Sequence, residues 1–253
     1  MPSAAVADNQ TVADQRSAAY SPLAERLIRQ PDVFQRTADG SLEAVFGVPV
    51  SDALAVFFPV STERGLPQDY VPPDLVQTLG HPLRALVVAE FQEMFHAAQR
   101  DGAYPVVVSG YRSAEYQAAV FERAVWRQLS SEPSIDRDEA ERRAARFVAP
   151  PGHSQHQLGT TADLSSWEIG YAIRPSFAQT RAGSWLADHA WEYGFIVPYT
   201  SAAEARTGYV AEPWHLRWIG RPLAALLWQE GYLDSSYPTA DDWLLAVEEV
   251  IER

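Results

Sequence analysis

Short strand-length runs set among helical stretches limit what this chain can build. Pro105 to Ser109 (PVVVS) is β-branched and only as long as a buried strand, and FIVP (195–198) and WHLRW (214–218) read the same way. Elsewhere apolar residues recur at helical spacing. Leu83, Leu86, Val87, Phe91, Met94, Phe95 and Ala98 predict a helix over about 82–100, ended by Asp101-Gly102. A second helix is expected over about 113–129, with Tyr116, Val120, Phe121 and Ala124 facing inward, and a charged surface helix over 136–147. Ser184 reads as the N-cap of WLADHAWEY and Gly194 as its C-cap, and two further helices are expected at 222–230 and 239–252. Helices and strands intermixed by short connections predict an α+β fold, a single domain with a small antiparallel sheet flanked by helices.

The margins read differently. Residues 1–20 are small and polar, a flexible lead-in. An N-terminal extension over 21–60 holds an amphipathic piece from Leu23 to Ile28 and a β-leaning stretch over 45–60 punctuated by Gly47, Pro49 and Pro59. The main domain is placed at 61–253, C-terminal helices included. It begins with LPQDYVPPDLV (66–76), whose prolines forbid a regular helix and predict an extended strap.

Composition removes several functions. A net charge of −13 with only scattered basic residues excludes a protein that tracks along nucleic-acid phosphates. The absence of cysteine removes a disulfide framework, a thiolate metal site and a Cys nucleophile together. No segment approaches the roughly 18 apolar residues of a membrane-spanning helix. Residues 1–20 carry neither a basic nor an apolar signal region. The expectation is an exported protein of the cell envelope or exterior whose signal is not in this sequence, with a cytoplasmic location as the alternative. Composition leaves the oligomeric state open.

Three segments carry chemistry. In SGYRSAEYQ (109–117), Arg112 follows a buried strand and a glycine and is placed to point into a cleft, although a turn-capping surface arginine would read alike. In SQHQLGTTADLSS (154–166), His156 and Asp163 flank Gly159 in what reads as a loop entering a strand. An imidazole and a carboxylate can converge there, or serve as an ordinary hydrogen-bonded pair. In AEPWHLRWIG (211–220), Pro213 keeps Glu212 extended. Strand alternation then puts Trp214, Leu216 and Trp218 on one face, with His215 and Arg217 on the other. A cross-strand His–Glu contact is the plain alternative. Together the segments offer two imidazoles, one ligand carboxylate and a spare carboxylate, the parts that zinc hydrolysis needs.

The S-x-H-x-x-G-x-x-x-D of Ser154 to Asp163, the E-x-W-H of Glu212 to His215 and the S-G-Y-R-S of Ser109 to Ser113 resemble the signature of the zinc D-Ala-D-Ala carboxypeptidases. That family includes the vancomycin-resistance D,D-carboxypeptidases and related L,D-carboxypeptidases, in a fold group shared with lysostaphin-type endopeptidases and the hedgehog signalling domain. The likeness covers roughly residues 60–220 and is supported by LPQDYVPPDLV, WLADHAWEYGFIVPY (185–199) and Tyr209. It implies a hedgehog-like peptidase fold with zinc held by His156, Asp163 and His215. It makes Glu212 the general base and Arg112 the group steadying the substrate carbonyl or its oxyanion. The implied substrate is a peptidoglycan stem peptide cut at its C-terminal D-alanyl bond, with Ser154, Ser113 and Gln117 as candidate contacts for the terminal carboxylate. An L,D-carboxypeptidase, a cell-wall endopeptidase and a non-catalytic zinc-bearing binding domain are the alternatives. Thr161 stands where the family usually has Ala, the stretch 126–149 is unusually charged, and residues 1–60 have no counterpart.

Other histidines are set aside. His153 shares no face with His156 across a loop, His189 falls in a helix, and His81 and His96 lack a partner set. The G-x-S-x-G elbow of serine hydrolases and a phosphate-binding glycine loop are both absent.

Overall fold

A computed structural model describes residues 22–30, 33–236 and 238–252, so the expected lead-in over 1–20 lies outside the described residues. The chain forms two compact units, one of residues 1–59 with 242–253 and the other of residues 60–241. The C-terminal helices, expected within a main domain at 61–253, divide otherwise, since from Asp242 the chain groups with the N-terminal unit.

The smaller unit contains α1 (22–28), an antiparallel sheet of β1 (Phe34–Arg36), β2 (Leu42–Val45) and β3 (Val48–Pro49), and α2 (Val50–Val56). Half of the expected β-leaning stretch is therefore helix, begun at Pro49, which takes the N-cap position. The C-terminal segment joins this unit for an apolar reason. Trp243, Leu244, Ala246 and Val247 are fully buried, as are Leu27 and Val56, and the Arg26 guanidinium lies 5.3 Å from the centre of the Trp243 ring.

The larger unit opens with the strap, then a hairpin of β4 (Leu75–Thr78) and β5 (His81–Arg84). Its two turn residues, Leu79 and Gly80, both have positive φ (51° and 82°), the geometry of a tight hairpin turn. The next helix, α3 (Ala85–Arg100), thus starts three residues later than its periodicity predicts, because Pro82 and Leu83 pair with β4. It buries Val87, Phe91, Met94 and Ala98, and the Phe91 ring meets Phe195 at 4.3 Å.

Four strands follow in the order β6 (Val106–Ser109), β7 (Thr161–Ser165), β9 (His215–Trp218) and β8 (Phe195–Ile196), all antiparallel. Between β6 and β7 run α4 (Ala114–Ser131) and α5 (Arg137–Ala145). These two helices pack through Ala124, Val125, Ala140 and Ala144, so α5 is charged outward yet docked, where sequence alone had placed it on the surface. Tyr116, expected inward, is 57% exposed, and Gln117 takes its place in the interior. Before β8, α6 (Arg181–His189) is capped by Thr180, whose hydroxyl accepts from the Gly183 amide at 2.9 Å, and not by Ser184. Gly194, at φ 85°, closes the following 3-10 turn as expected. A one-turn α7 (Glu204–Thr207) precedes β9, then comes α8 (Arg221–Gln229), while α9 (Ala240–Ile251) belongs from Asp242 on to the smaller unit. All four residues of β9 are buried, so the face carrying His215 and Arg217 is interior and not a solvated edge. No helix among the described residues is long and apolar enough to cross a membrane.

Candidate metal centre

Strand register assembles the site. Asp163 on β7 is the pairing partner of His215 on β9 and also faces Ser109 on β6. His156 arrives from a 3-10 turn over Gln155–Leu158. That turn is capped by Ser154 and ended by Gly159, which adopts φ 71°. The ligating atoms of His156, Asp163 and His215 lie within 4.8 Å of one another, and all three residues are buried.

The surroundings fix which atoms face inward. His156 Nδ1 lies 2.7 Å from the Gly110 carbonyl, which only accepts, so Nδ1 carries the proton and Nε2 keeps its lone pair. That Nε2 is buried, without a hydrogen-bond partner among the described residues, and 3.2 Å from Asp163 Oδ2. His215 is held the other way round. Its Nε2 donates to Gln155 Oε1 at 3.1 Å, leaving Nδ1 to face Asp163 Oδ1 at 3.1 Å. Two imidazole lone pairs and a carboxylate converge on one point, a donor set suited to zinc.

Electrostatics agree. Burial, with Arg112 close by, pulls His156 down to about 4 although Asp163 opposes it. Burial would raise Asp163, but His156, His215 and Arg112 outweigh it and hold the carboxyl well below its ordinary range. At neutral pH His156 is therefore a neutral imidazole and Asp163 an ionised carboxylate, the states that bind metal.

Arg112 has a more tethered position than the sequence implies. Its Nη2 pairs with Asp163 Oδ2, its Nε donates to Ser109 Oγ at 2.9 Å, and Nη1 reaches Gln117 Oε1 at 3.4 Å. Glu212 stands beside the set, with Oε2 3.6 Å from His215 Nδ1. Burial, then the charge of Asp163, pushes Glu212 up to about 8, with Arg112 acting against both. A divalent cation in the set would draw it back down.

These groups line a cleft of about 330 Å³, along with Ser154, Gln117 and Tyr209. Ser113 is not among the lining residues. Its hydroxyl caps α4, accepting from the Tyr116 amide at 3.1 Å, which is a structural use. Gln117 Nε2 is likewise engaged, donating to the Ala149 carbonyl at 2.7 Å. His153 donates to the Ser61 carbonyl (2.9 Å) and His189 pairs with Glu192, so neither joins the metal set.

Sequence reasoning passes over the supports of this site. The strap is one: Gln157 Nε2 donates to the carbonyls of Pro67 (2.8 Å) and Tyr70 (3.2 Å), pinning the His156 turn against it. Buried Arg84 is another. It pairs with Asp74 at 2.6 Å, and its amide donates to the Gly159 carbonyl. A Cβ on Gly159 would come within 2.9 Å of the Arg84 side chain, so glycine is required there for space as well as for φ. Gln155 is the third. We expect Gln155→Ala to weaken zinc affinity at least about tenfold by releasing the His215 tautomer. Competition against a chromogenic chelator checks this, and an unchanged affinity would remove Gln155 from the site.

A sequence model of the VanY D-alanyl-D-alanine carboxypeptidase family matches residues 80–221. YodJ of Bacillus subtilis (strain 168) is 34% identical over 178 residues, which are 66% of this chain and 61% of that protein. This chain thus spans less than two thirds of that relative's length. Among solved structures, the LD-carboxypeptidase LdcB aligns with TM-score 0.62 and 31% identity, covering 74% of this chain and 84% of LdcB. A Zn(II) complex of the vancomycin-resistance D,D-pentapeptidase VanY from a VanB-type cassette aligns with TM-score 0.61 and 28% identity, covering 70% and 95%.

Proposed function

Since this chain belongs to the VanY D-alanyl-D-alanine carboxypeptidase family, we propose that it is a zinc peptidase removing the C-terminal D-alanine of peptidoglycan stem peptides. The observation that carries the reading is the convergence of His156, Asp163 and His215, with Glu212 as a second carboxylate left over beside them. A purely structural metal site has no use for that spare group. Zinc held there by His156, Asp163 and His215 would supply Lewis acidity, acidifying a water and polarising the scissile carbonyl. Glu212 accepts the proton of the attacking water at its carboxylate and passes it to the leaving amine nitrogen. Arg112 keeps Asp163 in place and lends its charge to the cleft wall where the scissile carbonyl lies. Ser154 and Gln117, both in that wall, are the remaining candidates to meet the substrate's terminal carboxylate.

The likeness to LdcB favours one second reading, an L,D-carboxypeptidase. Mass spectrometry of muropeptides after incubation with the zinc-loaded protein separates the two. Loss of one alanine from pentapeptides is expected. Loss from tetrapeptides alone would transfer the assignment to the L,D reading, and cleavage within cross-bridges would overturn both.

Amidating the terminal carboxylate supplies a further check. The protein as a whole is strongly anionic, so recognition of a carboxylate rests on local groups. Removing one charge-assisted contact is expected to lower kcat/KM about tenfold. Equal cleavage of free-acid and amidated D-Ala-D-Ala peptides would argue for an endopeptidase.

A further inference from the structure

The cleft continues well beyond the metal set along α4, and a second arginine stands in that part of its wall. Arg127 lines the same cleft as Arg112, Gln117 and Glu212. The three arginines of α5 are committed to carboxylates. Arg137 pairs with Glu122 and Glu141, Arg142 with Glu139, and Arg143 with Glu139 and Glu132. Arg127 pairs with no carboxylate among the described residues. Its recorded hydrogen bond runs from Nε to the Arg123 carbonyl, at 3.2 Å, and leaves both terminal nitrogens uncommitted. In a chain of net charge −13, an arginine left unpaired in the catalytic cleft is available to an incoming anion.

Helix geometry says which part of the substrate it can meet. Gln117 marks the reacting end of the wall, since its Oε1 accepts from Arg112, which holds Asp163. From Gln117 to Arg127 the helix rises about 15 Å, at roughly 1.5 Å per residue. Helical side chains lean towards the N-terminus, as the bond to Arg123 confirms, so the guanidinium lies roughly 9–15 Å along the wall. The single residue a carboxypeptidase leaves beyond the scissile bond spans only about 3.5 Å. An extended chain running the other way covers the distance in roughly three or four residues. Between the two ends the wall is apolar, with Val120, Phe147 and Val148 lining it.

We propose that Arg127 is a specificity-determining residue that binds a carboxylate carried by the substrate about three or four residues before the bond that is cut. The inference rests on the peptidase reading above and adds to it a second anchor, remote from the terminal carboxylate.

The test uses the zinc-loaded protein and two stem-type peptides ending in D-Ala-D-Ala, one with its upstream carboxylate free and one with it amidated. Arg127→Met is expected to raise KM for the free acid about five- to tenfold while kcat stays within about twofold. The amidated peptide should not distinguish the variant from the parent protein, and Arg127→Lys should recover part of the loss. Calorimetric binding of both peptides in a Glu212→Gln background should reproduce the difference without turnover. An equal effect on both peptides, or none on either, would overturn the assignment to Arg127 while leaving the peptidase reading in place. If the parent protein cuts neither peptide, the peptidase reading fails and this inference fails with it.

Discussion

Glu212→Gln is expected to keep one zinc per chain and to lose about a thousandfold in kcat, within the range that a positioned general base contributes. The substitution preserves volume and hydrogen-bonding shape in a side chain that is only 14% exposed, so the fold should not respond. What it removes is a proton acceptor. Glu212 is seated next to His215 by a local turn, since its own carbonyl accepts from the His215 amide at 3.0 Å and its amide donates to Tyr199 at 2.9 Å. Its carboxylate is consequently held at the edge of the metal set without belonging to it. Zinc content by elemental analysis, measured on the same sample as the rate, separates the two roles. A Gln variant that loses the metal would make Glu212 a ligand, and one that loses neither metal nor rate would leave the protein without its proposed base.

That Asp163 and His215 can face each other is legible in the sequence because strands translate spacing into direction, whereas the full set with His156, which sits in a 3-10 turn, is implied by the motif resemblance. Once WHLRW is a strand and Asp163 lies in the next one, antiparallel pairing can set the two opposite each other. The helical periodicity of α3 and the Gly194 stop are legible for the same local reason. What escapes the sequence depends on the backbone or on distant partners. The Gly110 carbonyl that fixes His156 has no side-chain signature, and Gly110 itself is glycine because a Cβ would come within 2.6 Å of the Pro82 carbonyl. The hairpin that consumes Pro82 turns on Leu79-Gly80, not the Asn-Gly that would announce such a turn. Thr180 and Ser184 are both chemically able to cap α6, and a single helical turn of ambiguity was resolved by the Gly183 amide. The grouping of the last helix with the N-terminal unit could not be seen at all, since an amphipathic helix does not say which core it will cover.

Asp163→Ala should have the largest effect of any single change, because one carboxylate serves every member of the centre. Its Oδ1 faces His215 Nδ1, its Oδ2 faces His156 Nε2, and it is the ion-pair partner of Arg112. Removing it takes a ligand from the metal and leaves a guanidinium, 17% exposed, without its counter-charge. Zinc should fall to background in elemental analysis, and turnover with it. Thermal unfolding provides an independent reading. A metal bound only by the folded state raises stability by about 4 kcal/mol at a thousandfold excess over its dissociation constant. The parent protein should therefore melt higher with zinc and lower after chelation, while Asp163→Ala should melt at one temperature in both. Asp163→Asn isolates the charge, since the amide retains the shape and can still accept from Arg112. It too should lose the zinc-dependent shift if the anionic oxygen is what holds the metal. Stoichiometric zinc in the alanine variant, or a melting shift on zinc addition equal to that of the parent, would remove Asp163 from the ligand set and with it the arrangement on which the proposed mechanism stands.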